Sequence, residues 1–332
     1  MNINEIENIY GKLPPFLDIK KVNAVLDKRY NKHPVIDDIY TEILEFLNTN
    51  TIVYSQVHIP YVLTNNVSVE LKSIDLGKVT LLIIDDYTIF HKKVLAKDFV
   101  EKMHFSIIKA GSRPIWIKKF EWEDRRKQTV LKSLILHACG KTKERIYARN
   151  TYTDIVPSKS LADFFDTSSF YGHRNASFAV CLKDKSTHRV LMAMNFGHPY
   201  YGKDKYGDNA IECIRAACQP FTLVVGGMSK LMKFMIAEFG STFATLVYYI
   251  DDSHYSANSM GTLGFTYSHF AGGGLHNVWK DTGAMFMRTP AMHKEISFFR
   301  DNGHILTIPD VGNSTYLLKP DTIVGHADSV ET

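Results

Sequence analysis

The residues best suited to chemistry lie between Glu212 and Tyr255. A short apolar run, Leu223-Val224-Val225, turns through Gly226-Gly227 into a segment whose Leu231, Met232, Met235, Ile236 and Phe239 recur at helical spacing. Such a turn leaves backbone N–H groups unpaired at the positive end of a helix dipole, where phosphate or another anion binds. Ser229 and Lys230 follow the turn and could meet that anion; the plainer reading is a tight turn with Ser229 as helix cap. Ala244 to Ile250 reads as a buried strand that delivers Asp251-Asp252 to its carboxyl end, where ligands gather in α/β proteins, with Tyr255 just beyond. Glu212 and Arg215, three apart, share a face if helical and form either part of a site or an exposed ion pair.

These residues need a scaffold, and the chain predicts one. Ile36, Ile39, Tyr40, Ile43, Leu44 and Leu47 give one apolar helical face after the break at Pro14-Pro15, so residues 1–66 read as a helical extension that packs on the next domain or binds a partner. Val67 to Lys72 alternates, Val79 to Ile84 is continuously apolar up to Asp85-Asp86, a helix contains Phe99 to Ala110, and Arg113 to Lys118 is a further strand. The helix from Asp124 to His137 reads as a connector between domains. Ala176 to Leu182 and Val190 to Phe196 form a hairpin, and Ala210 to Cys218 leads into Leu223 to Val225 as the central strand. Ser314 to Leu318 is the last strand, and the tail after Lys319 is polar and mobile. The fold class is α/β (α+β), divided as 1–66, 67–140, 141–319 and 320–332.

At 332 residues, 45% hydrophobic and 22% charged, the chain has the composition of a globular protein of two domains. It holds no apolar run of membrane-spanning length and no export signal, so a cytoplasmic protein is expected. The four cysteines make no CxxC pair, which excludes a zinc ribbon. The net charge of +4 is concentrated between Lys118 and Arg149, where ten basic residues face four acids. Lys118, Lys119, Arg125, Arg126, Lys127, Arg145 and Arg149, interleaved with Trp116, Phe120, Trp122 and Tyr147, suit the phosphates of duplex DNA, although a solvated helix face reads alike.

The strand, Gly226-Gly227-Met-Ser229-Lys230 turn, helix, acid-ended strand and closing Leu263-Gly264-Phe265 resemble the acyl-CoA-binding half of GNAT acyltransferases. That resemblance implies that the first turn cradles the pyrophosphate of an acyl-CoA-like donor, though Val224 stands where the family usually has Arg or Gln. Arg145-Ile-Tyr-Ala-Arg149, Phe196-Gly197, Glu212-Cys-Ile-Arg215, the glycine turn, Asp252, Gly264-Phe265 and Asp310-Val-Gly-Asn313 occur in this order in phage proteins that join a Vsr-type nuclease domain to a GNAT-like domain. Many of those are called homing endonucleases, and their second half also resembles Mom, a phage protein that modifies adenine in DNA. The resemblance spans roughly residues 67 to 318.

Carried over by position, the resemblance makes His173 a general acid/base or metal ligand, although a lone histidine among 14 is more often structural. It also raises the Glu212–Arg215 pair to part of the site. In the nuclease-like part, His91 matches the histidine of a Trp-His pair, Lys102 a helix lysine, and Asp85 or Asp86 falls near a metal-binding Glu. Lys72 or Ser73 occupies the place of a first-strand Asp, and loss of that carboxylate removes a divalent-metal ligand. The leading expectation is group transfer to a DNA base, with the nuclease-like part holding DNA after losing cleavage. The alternatives are a homing-type endonuclease and a non-catalytic DNA-binding or inhibitory protein.

Overall fold

The computed structural model describes residues 1–27, 38–62, 68–84, 96–199, 203–282, 285–287 and 290–320. The chain is α/β and divides into two compact units. One comprises residues 1–125 with 272–311, the other 126–271 with 312–332.

In the first unit, α1 (Ile3–Tyr10) begins at a reciprocal cap. The Glu5 amide donates to Asn2 Oδ1 at 2.9 Å and the Asn2 amide to Glu5 Oε2 at 2.8 Å. Helices α2 (Ile19–Asp27) and α3 (Ile39–Thr49) follow, and α3 buries Ile39, Ile43 and Leu47 at the spacing read from the sequence. Strands β1 (Ser55–Val62), β2 (Ser68–Asp75), β3 (Val79–Ile84) and β4 (Arg113–Lys118) form a sheet in that order. The pairing is antiparallel until β3 and β4, which run parallel across the helix α4 (Ala96–Lys109). All six residues of β3 are buried, which is why that run is continuously apolar. Ser73, where a metal-binding carboxylate was wanted, is wholly buried and donates to the Val57 carbonyl at 2.5 Å. A short helix α5 (Lys119–Glu123) ends this stretch.

The second unit begins within α6 (Arg125–Ala138) and runs through β5 (Glu144–Tyr147), β6 (Thr151–Val156), α7 (Ala162–Ser168), β7 (Phe178–Asp184) and β8 (Val190–Gly197). It continues as α8 (Lys203–Tyr206), β9 (Ala210–Cys218), β10 (Thr222–Val225), α9 (Gly227–Phe239), β11 (Thr245–Asp251) and β12 (Thr266–Gly272). The chain then leaves for the first unit as β13 (Leu275–Trp279), β14 (Met285–Met287), α10 (His293–Asp301) and β15 (Ile305–Pro309), and returns as β16 (Gly312–Leu318). Ile6, Val22, Val25 and Leu26 of the N-terminal helices share one core with Trp279, Ile296, Phe299 and Ile305 of that excursion.

A seven-stranded sheet, ordered β12-β16-β11-β9-β8-β7-β6, carries the second unit. Its β9 and β11 run parallel, while β6 to β9 and the β11–β16 pair are antiparallel. On one face Leu182, Met194, Phe196, Cys213, Leu246 and Ile250 pack against Leu231, Met232 and Met235 of α9. Burying each of those three helix side chains is worth about 1.5–3 kcal/mol. On the other face Ala179, Cys181, Ala193 and Ala217 pack against Leu161 and Phe165. The central strand is therefore β9, not Leu223 to Val225. That run is β10, which pairs in parallel with β5 outside the main sheet. All four cysteines are thiols.

Candidate active site

Glu212 and Arg215 do not sit on a helix as the three-residue spacing suggested; both belong to β9. On a regular strand they would face opposite sides of the sheet. The register against β8 runs Gly197↔Glu212, Phe196↔Cys213, then Asn195↔Arg215, so Ile214 is an extra residue in a bulge. The bulge returns Arg215 to the face that carries Glu212. Pairing between β9 and β11 ends one residue earlier, at Tyr248↔Cys213, and the strands part.

The gap is a cleft of about 310 Å³ lined by Glu212 to Ala216, Tyr248 to Asp251, Tyr171 and Tyr255 among others. Glu212 is 5% exposed and lies in its wall. Arg215 donates from Nε to the Gly172 carbonyl at 2.9 Å and from Nη1 to the Ile214 carbonyl at 2.7 Å. Its guanidinium lies 5.7 Å from the centre of the Tyr171 ring, and burial lowers its pKa. The Cys213 thiol is pushed far up by burial and stays protonated, which removes it as a nucleophile.

The acid at the end of β11 that faces this cleft is Asp251. Its carboxylate accepts from the Tyr171 hydroxyl at 2.7 Å and the Ser253 amide at 2.9 Å, and it meets His254 Nδ1 at 2.6 Å. His254 is buried, with its ring 4.1 Å from that of Phe170. The expected Asp252, one residue past the end of β11, instead accepts from the Ser314 hydroxyl at 2.8 Å and does not line the cleft. Tyr255 does line it. His173 does not. Its ring Nε2 lies 3.5 Å from Ser158 Oγ, and its amide donates to Asp166 Oδ1 at 2.7 Å.

Tyr171 and His254 escaped the sequence reading because no motif carries them. Asp251 stands beside the Asp252 that the sequence singled out, and is the last residue still within β11.

Helix α9 starts beside this cleft at Gly226, whose φ of 76° is a left-handed conformation. Its first turn leaves the N–H groups of Gly227, Met228 and Ser229 without acceptors inside the helix. Gly226, not Ser229, is the cap residue, and Ser229 is exposed in the first turn. Gly227 is required by packing: a Cβ there would come within 2.8 Å of Val224 Cγ1 and 3.2 Å of Met192 Sδ. Lys230 is engaged by backbone carbonyls. Its ammonium donates to the carbonyls of Ala148 at 2.9 Å and Thr151 at 2.5 Å.

The expected DNA-facing cations divide sharply. Lys118 is 1% exposed and paired with Glu121 Oε1 at 3.2 Å and Asp310 Oδ1 at 2.9 Å, so it cannot meet a phosphate. Lys127 is buried against the Phe170 ring, and Arg126 donates to the carbonyls of Ser169 and Phe170 at 2.6 and 2.9 Å. Trp116, Phe120 and Trp122 are core residues. Lys119 lies 4.0 Å from Glu123, and Arg125 is exposed at the start of α6. Arg145 and Tyr147 alternate outward along β5 and are exposed, as are Lys143 just before the strand and Arg149 just after it, whose guanidinium sits 4.9 Å from the Tyr147 ring.

Asp85, Asp86 and His91 lie outside the described residues. Among the described residues no group of three or more His, Cys, Asp or Glu side chains is placed to hold a metal, and no helix is long and apolar enough to cross a membrane.

No family model and no curated protein sequence matches the chain. Three solved structures similar to it are acetyltransferases. The ribosomal-protein-S5-alanine acetyltransferase of Vibrio fischeri is 11% identical over 43% of this chain, with a TM-score of 0.26. The match spans 62% of that protein's length. A protein assigned as a phosphinothricin N-acetyltransferase is 13% identical over 49% of this chain and 76% of its own, with a TM-score of 0.27. One assigned as an acetyltransferase from Sphaerobacter thermophilus is 8% identical over 42% of this chain and 68% of its own, with a TM-score of 0.22.

Proposed function

We propose that the second unit transfers an acyl-type group from a thioester donor of the acyl-CoA class to a nucleophilic nitrogen of duplex DNA. The observation that carries this reading is the parting of β9 from β11 at the Ile214 bulge. It opens a cleft holding a buried carboxylate, Glu212, beside the anion-ready start of α9. The donor would supply an activated carbonyl. Glu212, with little water around it, is positioned to take the proton that the attacking nitrogen sheds. Asp251, fixed by Tyr171, Ser253 and His254, holds the other wall and orients the Tyr171 hydroxyl. The N–H groups of Gly227, Met228 and Ser229 suit a phosphate of the donor. Lys143, Arg145 and Arg149 suit the backbone of the nucleic acid.

A non-catalytic DNA-binding role is favoured by the exposed cations in and beside β5 alone, and one experiment separates the two. Thiol release from acetyl-CoA is followed with and without duplex DNA, for the wild type and Glu212→Gln. Release that needs both DNA and Glu212 supports transfer. DNA binding with no thiol release and no binding of acetyl-CoA supports the non-catalytic role.

A further inference from the structure

Among the described residues that line the cleft, Arg215 is the one lysine or arginine, and it stands against the carboxylates of Glu212 and Asp251. Two of its nitrogens are committed to backbone: Nε to the Gly172 carbonyl in the loop after α7, and Nη1 to the Ile214 carbonyl inside the bulge. Nη2 makes no hydrogen bond among the described residues, yet it is not a buried orphan and keeps access to solvent. The Tyr171 ring, whose hydroxyl is tied to Asp251, flanks the guanidinium and limits its rotation. A guanidinium held at two points presents its third nitrogen in a fixed direction, at little further cost in entropy. Such a donor suits an oxygen atom, and charge decides which kind. With two carboxylates in the same walls, a phosphate entering the cleft meets net repulsion. A neutral carbonyl oxygen does not, and it gains negative charge only during reaction, when a preorganised donor is worth most.

We infer that Arg215 is a catalytic residue of the cleft: its Nη2 donates to the thioester carbonyl oxygen of the donor and holds the negative charge that this oxygen takes on as the DNA nitrogen adds to the carbon. The assignment rests on the acyl-transfer reading and sets a second working group beside Glu212. The exchange balances. The carbon–nitrogen bond forms, the proton of the nitrogen passes to Glu212, and the carbon–sulphur bond breaks with its electron pair leaving on sulphur as thiolate.

Difference infrared spectra of bound acetyl-CoA, isotope-labelled at its carbonyl carbon, test this on the wild type, Arg215→Met and Arg215→Lys. Calorimetric affinities for acetyl-CoA and duplex DNA, DNA-dependent thiol release and melting temperature are recorded on the same samples. In the wild-type complex the carbonyl band should fall below its position in water, and in Arg215→Met it should return towards that position. Thiol release should fall by about 10² to 10³ while the affinity for acetyl-CoA changes little. Arg215→Lys should behave like Arg215→Met, since one ammonium cannot both serve the Gly172 carbonyl and reproduce the fixed fork, so it stands in if the methionine variant does not fold. If neither variant folds, the wild-type band decides. An unshifted band in the wild type, or a band and a turnover that a folded variant leaves unchanged, would overturn the inference, while wild-type thiol release keeps the acyl-transfer reading. A variant that weakens DNA binding, lowers its salt slope by about one and keeps turnover at saturating DNA would overturn it in favour of a phosphate contact. Failure of the wild type to bind acetyl-CoA would overturn both.

Discussion

Glu212 and Arg215 face the same side of one β-strand although they stand three positions apart, because the bulge at Ile214 adds a residue that the partner strand does not match. The same bulge marks where β9 leaves β11, so a single irregularity both opens the cleft and sets two charged groups in its wall. Glu212→Gln keeps the shape and removes the proposed base. It should lower thiol release from acetyl-CoA by about 10² to 10⁴, with an unchanged melting temperature. A fall in melting temperature without a selective loss of turnover would make Glu212 structural.

The glycine turn separates two requirements that the sequence showed as one. Gly226 needs its left-handed φ, while Gly227 needs room against Val224 and Met192. Gly227→Val should therefore cost stability, about 1–3 kcal/mol by overpacking, read as a lower urea midpoint. A variant with wild-type stability would show that Val224 can give way.

Lys118 illustrates where a charge count misleads. Its ammonium is sealed between Glu121 and Asp310, and His276 Nε2 stands 3.6 Å from Asp310. Burial alone would push the Asp310 carboxyl up, but Lys118 and His276 hold it well below the usual range. Lys118→Met should destabilise the protein by about 3–5 kcal/mol, since two buried carboxylates lose their partner, and should leave DNA affinity unchanged. The stabilisation from Asp310 is present above the ordinary carboxylate pKa near 4 and is lost as pH falls through its depressed folded value. Urea unfolding at pH 7 and pH 3 should accordingly show a smaller acid loss for Asp310→Asn than for the wild type. An equal loss would contradict the pairing.

The exposed cations in and beside β5 give the converse expectation. Lys143→Ala with Arg145→Ala and Arg149→Ala should weaken binding to duplex DNA and reduce the salt slope by up to roughly three. An unchanged slope would leave this strand as a solvated edge.

Much of this architecture can be read before folding. The continuous run of β3, the spacing of α3 and the apolar face of α9 each follow from a local period that burial then enforces. Strand β9 resists such reading, because Glu212, Arg215 and three alanines in AIECIRAAC interrupt any alternation, and its place in the sheet comes from β8 and β11. The Tyr171–Asp251–His254 contacts are equally invisible, since a loop after α7 meets the end of a strand 80 residues later. Local pattern located the glycine turn but not the company that Lys230 keeps, which is a pair of carbonyls from Ala148 and Thr151.

On the proposed reading, the cleft between β9 and β11 adds a group to DNA. Mass spectrometry of nucleosides from the DNA of cells producing the wild type or Glu212→Gln, at equal protein levels, tests it most directly. A nucleoside of increased mass is expected with the wild type and absent with Glu212→Gln. Nucleoside profiles that match between the two and match cells lacking the protein would contradict it.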